Sequence, residues 1–190
     1  MTNRSAFTLL EVMLVMLILV LASALAIPTL SGSLDGFRLK KSADLVRAQW
    51  AHTRNNAMET GRIHVFRYET GGDRYWSEPW YAENDTTQAV SGEDLTGPSY
   101  GKHLPDTVQF ASGETQSTTR SANVEESATS GVATNEASLG RPIVFYPDGT
   151  ASTAKLYLQN ERGKFILIDL RGLTGIATVS DVFSAENVPQ

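Results

Sequence analysis

Residues 7–27 are almost entirely apolar, and Glu11 is the only charged residue among them. A helix of this length spans roughly 31 Å, about the thickness of the hydrocarbon core of a bilayer. A buried helix of a globular domain would normally be shorter and would carry a polar face. The pattern therefore predicts a transmembrane helix over residues 7–27.

The charges on either side of this helix predict its orientation. Arg4 precedes it, and no charged residue follows it until Asp35. The positive-inside rule then places the N-terminus in the cytoplasm and residues 28–190 on the other side of the membrane. A cleavable secretory signal is the alternative, because residues 22–26 offer small side chains of the kind that signal peptidase cuts after.

A second helical pattern fills residues 28–60 and is amphipathic. Spacings of three and four residues place one set on a single helix face, namely Leu39, Ala43, Val46, Trp50, Thr53 and Ala57. Pro28, Gly32 and Gly36 predict a kink or loosened turn before this face, and Gly61 predicts the end of the helix. The apolar face must pack against another element of the domain.

The basic residues of this helix lie mostly on its other faces. We interpret them as a solvated surface. Contact with anionic lipid headgroups or with acidic neighbours in a filament is the alternative. The residues are Arg38, Lys40, Lys41, Arg47 and Arg54.

After the helix, the pattern changes to short strands separated by turns. One strand is predicted at residues 62–68, and a turn at 71–73 leads into a partner strand that contains Tyr75 and Trp76. In the last third, turns at 147–150, 160–163 and 171–172 separate strands at 143–146, 155–158, 164–170 and 176–179. This succession predicts an antiparallel meander.

Residues 82–140 interrupt the strand pattern. From residue 112 to 138 the composition is dominated by Ser, Thr, Ala, Gly and Glu, which bury too little apolar surface to offset the entropy of ordering. One short strand is predicted around Leu104, Val108 and Phe110. We interpret the rest as a polar surface insertion, with a partner-facing loop as the alternative.

Composition excludes several functional classes. The chain has 190 residues, 16 Lys plus Arg against 21 Asp plus Glu, and a net charge of −5, which argues against nucleic-acid binding. The absence of cysteine excludes a disulfide scaffold and a thiol nucleophile. His52, His64 and His103 lack metal-ligand spacing, and core positions are favoured for Trp76 and Trp80 over stacking on a sugar or base. No catalytic motif, metal site or cofactor is predicted.

The start of the chain carries a specific motif. Residues 6–11 read A-F-T-L-L-E and lead directly into the apolar helix. This stretch resembles the class III signal of type IV pilins and type II secretion pseudopilins. The resemblance implies that a prepilin peptidase removes a leader of residues 1–6 by cutting between Ala6 and Phe7, and then N-methylates Phe7. It also implies that the Glu11 carboxylate serves assembly, neutralised by the terminal amine of an adjacent subunit. Ala6 departs from the family, which nearly always has Gly before the cut.

A finer resemblance is to the H type of minor pseudopilin, which is related to FimT/FimU-like minor pilins. Residues 52–57 approximate an A-R-x-x-A-like stretch on the helix, residues 145–149 match F-x-P-D-G, and a Gly-led turn lies in the paired-strand end at 166–175. The resemblance implies an α+β, pilin-like fold, in which a long N-terminal helix packs on an antiparallel β-sheet domain at 61–180, followed by a tail at 181–190.

This resemblance implies a minor pseudopilin, a structural subunit of the type II secretion pseudopilus used for protein export across the outer membrane. The expected place is the inner membrane, with a periplasmic globular domain that enters the pseudopilus. The expected partners are prepilin peptidase, other major and minor pseudopilins and inner-membrane lipid, and no nucleic acid. A minor type IV pilin, in pilus assembly or DNA uptake, and a signal-anchored periplasmic enzyme are the alternatives. DNA uptake would favour a basic C-terminus, but no Lys or Arg follows Arg171.

Overall fold

The structure, a computed structural model, describes residues 8–80, 101–118, 120–122, 124 and 139–185, with backbone alone at 24–34. The predicted leader at 1–6, the predicted cleavage site at Ala6 and Phe7, and most of the predicted insertion at 82–140 lie outside the described residues. The chain divides into two compact units, Met1–Phe37 and Arg38–Gln190.

One helix, α1, spans Leu9–Thr60, and the boundary of the two units falls within it. The helix continues without a break through Pro28 and Gly32, where the sequence predicts a kink or loosened turn. The helix ends where predicted, because Gly61 has a φ of 64°, a left-handed conformation that favours glycine. Within the described part of the chain, no helix has the length and hydropathy that a membrane crossing requires.

The second unit contains two antiparallel sheets. The described residues form nine strands: β1 (His64–Tyr68), β2 (Arg74–Pro79), β3 (Lys102–His103), β4 (Val108–Thr115), β5 (Ile143–Phe145), β6 (Ala154–Asn160), β7 (Lys164–Arg171), β8 (Ile176–Val179) and β9 (Phe183–Ser184). The first sheet has the order β3-β2-β1-β5, and the second has the order β4-β6-β7-β8, with β9 also paired to β7.

The predicted apolar face of α1 is buried in the main core of this unit. Trp50 is 1% exposed and meets the ring of Phe66 edge-on, with ring centroids 5.8 Å apart. The other residues of the face are fully buried: Leu39, Ala43, Val46, Thr53 and Ala57. The core is completed by both sheets, for example by Tyr68 from β1 and Ile168 from β7. The prediction of this helix face is confirmed.

The first sheet is covered on both faces, which explains why all five residues of β1 are buried. Phe66 and Tyr68 face the main core, whereas Val65 joins a smaller cluster on the other face with Val124, Val144 and Tyr146. Trp80 packs against this smaller cluster, as its predicted core position requires. Trp76 is half-buried, and the guanidinium of Arg74 lies 5.7 Å from its ring centroid.

The turn at 147–150 is present and closes a short hairpin, in which the N–H of Tyr146 donates to the carbonyl oxygen of Thr150 at 2.9 Å and Phe145 forms an antiparallel bridge with Ala151. The predicted pairing of the strand at 143–146 with the strand at 155–158 is wrong. Val144 of β5 pairs with β1 in the first sheet, whereas Leu156 of β6 pairs with β4 and β7 in the second sheet. The chain changes sheets at Ala151, whose N–H donates to the carbonyl oxygen of Gly172 at 2.7 Å. The later part of the predicted meander, from β6 through β7 to β8, is confirmed.

The strand predicted around Val108 and Phe110 is longer than expected. β4 continues to Thr115 and pairs with β6 along its length, with a register shift between Phe110 and Ser112. Residues 112–115 were expected to belong to the polar insertion. They form a strand because an outer strand needs ladder hydrogen bonds more than apolar side chains, and Thr115 is buried at its end. Leu104 is buried outside the strand, in the connection from β3.

Candidate functional site

Glu11, the predicted assembly residue, lies in the first turn of α1. Its backbone N–H donates to Oγ1 of Thr8 at 3.3 Å, and the N–H of Val12 donates to the carbonyl oxygen of Thr8 at 3.2 Å. Thr8 therefore caps the helix, and the T-L-L-E sequence matches the capping pattern with Glu three residues after the cap. Sequence reasoning missed this local role, although the spacing of Thr8 and Glu11 was a sufficient signal for it.

The described side chains at the start of α1 form an exposed apolar surface. The large apolar residues between 9 and 21 are each 48% to 80% exposed. Isolated exposed apolar residues are ordinary, but a contiguous apolar surface of this kind marks contact with another protein or with a membrane. None of these residues belongs to the two buried apolar clusters of the described residues, and their exposure favours a contact surface.

Arg54 joins α1 to two turns of the β-domain. Its Nε–H donates to the carbonyl oxygen of Gly149, in the turn before β6, at 2.7 Å. A Cβ on Gly175, in the turn before β8, would lie 2.5 Å from Nε of Arg54, and a Cβ on Gly149 would lie 3.1 Å from Nη2. Both glycines have positive φ, 81° for Gly149 and 61° for Gly175. The two glycine turns therefore form a slot that holds the guanidinium.

This contact brings together the two short stretches behind the finer resemblance, residues 52–57 and 145–149. The helix pattern predicts that Arg54 belongs to a solvated basic surface. Arg38, Lys40 and Lys41 are indeed exposed, but Arg54 is half-buried. The prediction for Arg54 is therefore wrong. The reason is that a helix pattern shows which face a residue occupies, but not which distant turn approaches that face.

Asp148 fixes the outer side of the same turn. One of its oxygens accepts from the hydroxyl of Thr150 at 2.6 Å and from the Thr150 N–H at 3.0 Å, and the other accepts from Nη1 of Arg120 at 2.7 Å. These hydrogen bonds, with those of Thr150 contributing most, lower the pKa of Asp148 to about 2. The guanidinium of Arg120 also lies 3.9 Å from the ring centroid of Tyr146. Arg120 thus holds its own segment against the turn.

A groove of about 360 Å³ lies between α1 and β8, next to Arg54. Its helix wall includes Arg47 and Ala51, and its strand wall includes Gly175, Ile176 and Ala177. The groove is the concave feature adjacent to the Arg54 slot, and its walls combine small residues with two guanidinium groups.

The three histidines lie apart from one another. Nδ1 of His52 lies 3.2 Å from Nδ2 of Asn56, and Nδ1 of His103 lies 3.0 Å from a carboxylate oxygen of Asp73. His64 is buried in β1, and burial lowers its pKa, with the Arg62 carbonyl acting in the opposite direction. Within the described residues, no group of three or more His, Asp or Glu side chains could hold a metal ion.

Comparison with known proteins identifies a relative. No family model matches the chain. A curated protein, "Type II secretion system protein H" of Xanthomonas campestris pv. campestris, is 34% identical over 83 residues, which are 44% of this chain and 48% of the relative. The chain is similar to a type II secretion protein H. This confirms the resemblance read from the motifs, although the chain spans about half the length of the protein H that it matches.

The chain also aligns with a solved structure. The minor pseudopilin EpsH from the Type 2 Secretion System of Vibrio cholerae aligns with a TM-score of 0.44 and 10% identity, over 76% of this chain and 97% of that chain. The expected α+β class is confirmed by the structure itself, in which residues 38–60 of the helix pack on antiparallel sheets.

Proposed function

We propose that this chain is an H-type minor pseudopilin, a structural subunit of the pseudopilus that a type II secretion system uses for protein export across the outer membrane. The observation that carries the proposal is the 34% identity to a type II secretion protein H over 83 residues. In this role the chain acts by binding neighbouring subunits and does not need a catalytic centre.

The exposed apolar surface at residues 9–21 supports a membrane anchor for such a subunit. We propose that residues 7–27 anchor the chain in the inner membrane until assembly, and that residues 28–60 continue the helix into the periplasm. The β-domain at 61–180 and the tail at 181–190 then lie in the periplasm. The near absence of charge in residues 7–27 and the position of Arg4 support this arrangement.

The assembly chemistry of the proposal centres on the N-terminus. Prepilin peptidase would cut between Ala6 and Phe7, and the methylated amine of Phe7 would meet the Glu11 carboxylate of a neighbouring subunit. An unpaired carboxylate in an apolar surrounding is costly, and pairing with a cation removes that cost. The position of Glu11 within an exposed apolar surface supports this role. The partners would be prepilin peptidase, other pseudopilins and membrane lipid.

Processing of the full chain tests the proposal directly. The chain is expressed in membranes with and without a prepilin peptidase, and its mass is measured. The expected product lacks the residues before Phe7 and carries one methyl group on the new amine. An intact Met1 in both samples, or a cut within residues 22–26, would overturn the assignment. Ala6→Gly is the matched variant, and it should be processed at least as fast as the natural chain.

Assembly is tested separately. The processed chain should crosslink in membranes to the other pseudopilins of a secretion system, and its deletion should reduce the release of a reporter protein. Normal secretion without the chain, together with no crosslink to any pseudopilin, would refute the structural role.

A further inference from the structure

We propose that the groove between α1 and β8 binds an extended, acidic segment of a partner protein. The backbone of this segment would pair with the outer edge of β8, and one of its carboxylates would bind the guanidinium of Arg54. The proposal concerns the chemistry of the groove and does not depend on the function proposed above.

The first support is the free edge of β8. This strand is the outermost strand of the second sheet within the described residues. The N–H of Ser180 donates to the carbonyl oxygen of Leu167 at 2.9 Å, so the antiparallel ladder uses every second residue, Thr178 and Ile176, toward β7. The N–H and C=O groups of Ala177 and Val179 therefore point away from the sheet. Such an edge is a template for an added strand.

The second support is the shape of the groove. Ala48 and Ala51 line it on the helix side, and Gly175 and Ala177 line it on the strand side. These small residues leave room for a polypeptide backbone to approach the edge. Ile176 is 57% exposed and offers an apolar contact for alternate side chains of an added strand.

The third support is the charge of the walls. The positive charge of Arg47 is offset by Asp44, whose carboxylate lies 3.0 Å from Nη2 of Arg47. Arg54 has no such partner: in the described part of the chain, no carboxylate pairs with it, and its hydrogen bond to Gly149 uses Nε. Arg54 is thus the cation of the walls whose charge no carboxylate of the described residues offsets.

The slot that holds Arg54 explains why this residue is the anchor. The Gly149 carbonyl and the close approach of Gly175 fix the guanidinium before any partner arrives. A fixed guanidinium loses little conformational entropy on binding, and its two terminal nitrogens match the geometry of a carboxylate. The partner chemistry that fits is therefore an extended segment with an acidic side chain.

The test uses the full chain in detergent micelles and two fluorescent synthetic peptides. Both peptides alternate threonine and valine, and they differ at one central position, which is glutamate in one and glutamine in the other. The glutamate peptide should bind saturably, and the glutamine peptide should bind about tenfold more weakly, because it loses one charge-assisted contact. Amide exchange at Ala177 and Val179 should slow when the glutamate peptide is added.

Variants separate the two contacts. Ala177→Pro removes an N–H that points away from the sheet and retains the bonds to β7, so it should abolish binding of both peptides. Thr178→Ala is the matched control and should bind normally. Arg54→Gln should lower the affinity for the glutamate peptide to that for the glutamine peptide, and its thermal unfolding is recorded to verify that the domain is folded.

Several outcomes would overturn the proposal. These are the lack of saturable binding at concentrations up to about 1 mM, equal affinity for the two peptides, and unchanged binding by Ala177→Pro. A dimer of the full chain that Ala177→Pro dissociates would assign the groove to a second copy of this chain, and would also reject a separate acidic partner.

Discussion

The Nε–H of Arg54 donates to the carbonyl oxygen of Gly149 at 2.7 Å, and this bond joins residues that are 95 positions apart in the chain. It ties the helix to the turn at which the chain passes from the first sheet to the second. Gly175 closes the other side of the guanidinium. One side chain therefore adds polar contacts at two turns of the β-domain to the apolar packing of α1 on both sheets.

Replacing Gly175 with alanine tests this slot, with Gly163→Ala as the matched control. Both glycines have positive φ, but a Cβ on Gly163 meets no atom within 4 Å, whereas a Cβ on Gly175 collides with Arg54. Gly163→Ala should lower the free energy of unfolding by about 1 to 2 kcal/mol through backbone strain alone. Gly175→Ala should lower it by about 1 to 3 kcal/mol more. Denaturant unfolding of the full chain in detergent measures both values.

The extra cost of Gly175→Ala should shrink when Arg54 is also replaced by alanine. A part of it should remain, because the new Cβ would also lie 2.7 Å from the carbonyl oxygen of Gly149. Equal costs for Gly163→Ala and Gly175→Ala would show that the turns yield without disturbing Arg54.

The Glu11 backbone N–H binds the cap residue Thr8, and its carboxylate has a proposed intermolecular role. Two variants separate the capping pattern from the charge. Glutamine also fits the capping pattern, so Glu11→Gln retains the local role and removes the charge. If the carboxylate pairs with the amine of a neighbour, Glu11→Gln should reduce crosslinking to other pseudopilins as strongly as Glu11→Ala. The loss for a desolvated pair reaches about 3 to 5 kcal/mol.

Thr8→Ala is the control for the local role. It removes the cap, which costs about 1 kcal/mol of helix stability, and leaves the Glu11 charge in place. Crosslinking should persist in Thr8→Ala. Normal crosslinking in Glu11→Gln, with a loss in Thr8→Ala, would show that assembly depends on the Thr8 cap and not on the Glu11 charge.

The buried His64 predicts a pH dependence of stability. Its pKa in the folded chain is lower than the ordinary value of 6.5, chiefly because burial disfavours the charged ring. Between the two values the unfolded chain binds more protons, so stability is full above pH 6.5 and falls as the pH drops toward the folded pKa. His64→Gln should flatten this dependence in denaturant titrations. His52→Gln, at an exposed position, is the control for the substitution itself. An unchanged slope in His64→Gln would exclude His64 as the source of the dependence.

Asp148 predicts a second dependence at lower pH. Its folded pKa of about 2 lies below the ordinary value of 3.8, so its contribution is present above about pH 4 and is lost as the pH falls through about 2. Asp148→Asn should destabilise the chain at neutral pH by about 0.5 to 1 kcal/mol, since the group is solvent-exposed. Below pH 2 the variant and the natural chain should unfold alike. Asp106→Asn, another exposed carboxylate, should have little effect at either pH.

A chain shortened to begin at Gly32 should fold. The main core begins at Leu39, and residues from Arg38 onward form a compact unit. Cooperative thermal unfolding followed by near-UV circular dichroism would confirm this. A chain that begins at Arg47 is the control, because it lacks the buried residues Leu39, Ala43 and Val46 and should not fold. Aggregation of both would mean that residues before Gly32 are needed by the domain.

The sequence predicted the elements of the fold better than their pairing. The buried face from Leu39 to Ala57 followed from spacing, because a helix that packs on a sheet buries one face and repeats it every three or four residues. The pairing of β5 with β1, rather than with β6, depends on where the chain crosses between sheets near Ala151. No local pattern encodes that crossing, since the turn at 147–150 is compatible with either partner.

The candidate site also combines local contacts, which the sequence predicts, with distant contacts, which it does not predict. The cap formed by Thr8 on Glu11 is local, and the spacing of the two residues was readable in the sequence. The contact of Arg54 with Gly149 is not local, because any of several carbonyl oxygens could have accepted from a basic side chain on that helix face. The free edge of β8 also required the sheet order, which sequence periodicity does not provide.

The pairing of His64 with Phe145 has a consequence for how the chain reaches its native state. These two positions are far apart in sequence, so the pairing closes a long loop before it gains any contact energy, and domains with such distant contacts fold slowly. Once closed, the loop is insensitive to its own length, since doubling it costs only about 0.6 kcal/mol. A change in the length of the connection between β4 and β5 should therefore alter stability little, because β2, β3 and β4 keep their own strand pairings.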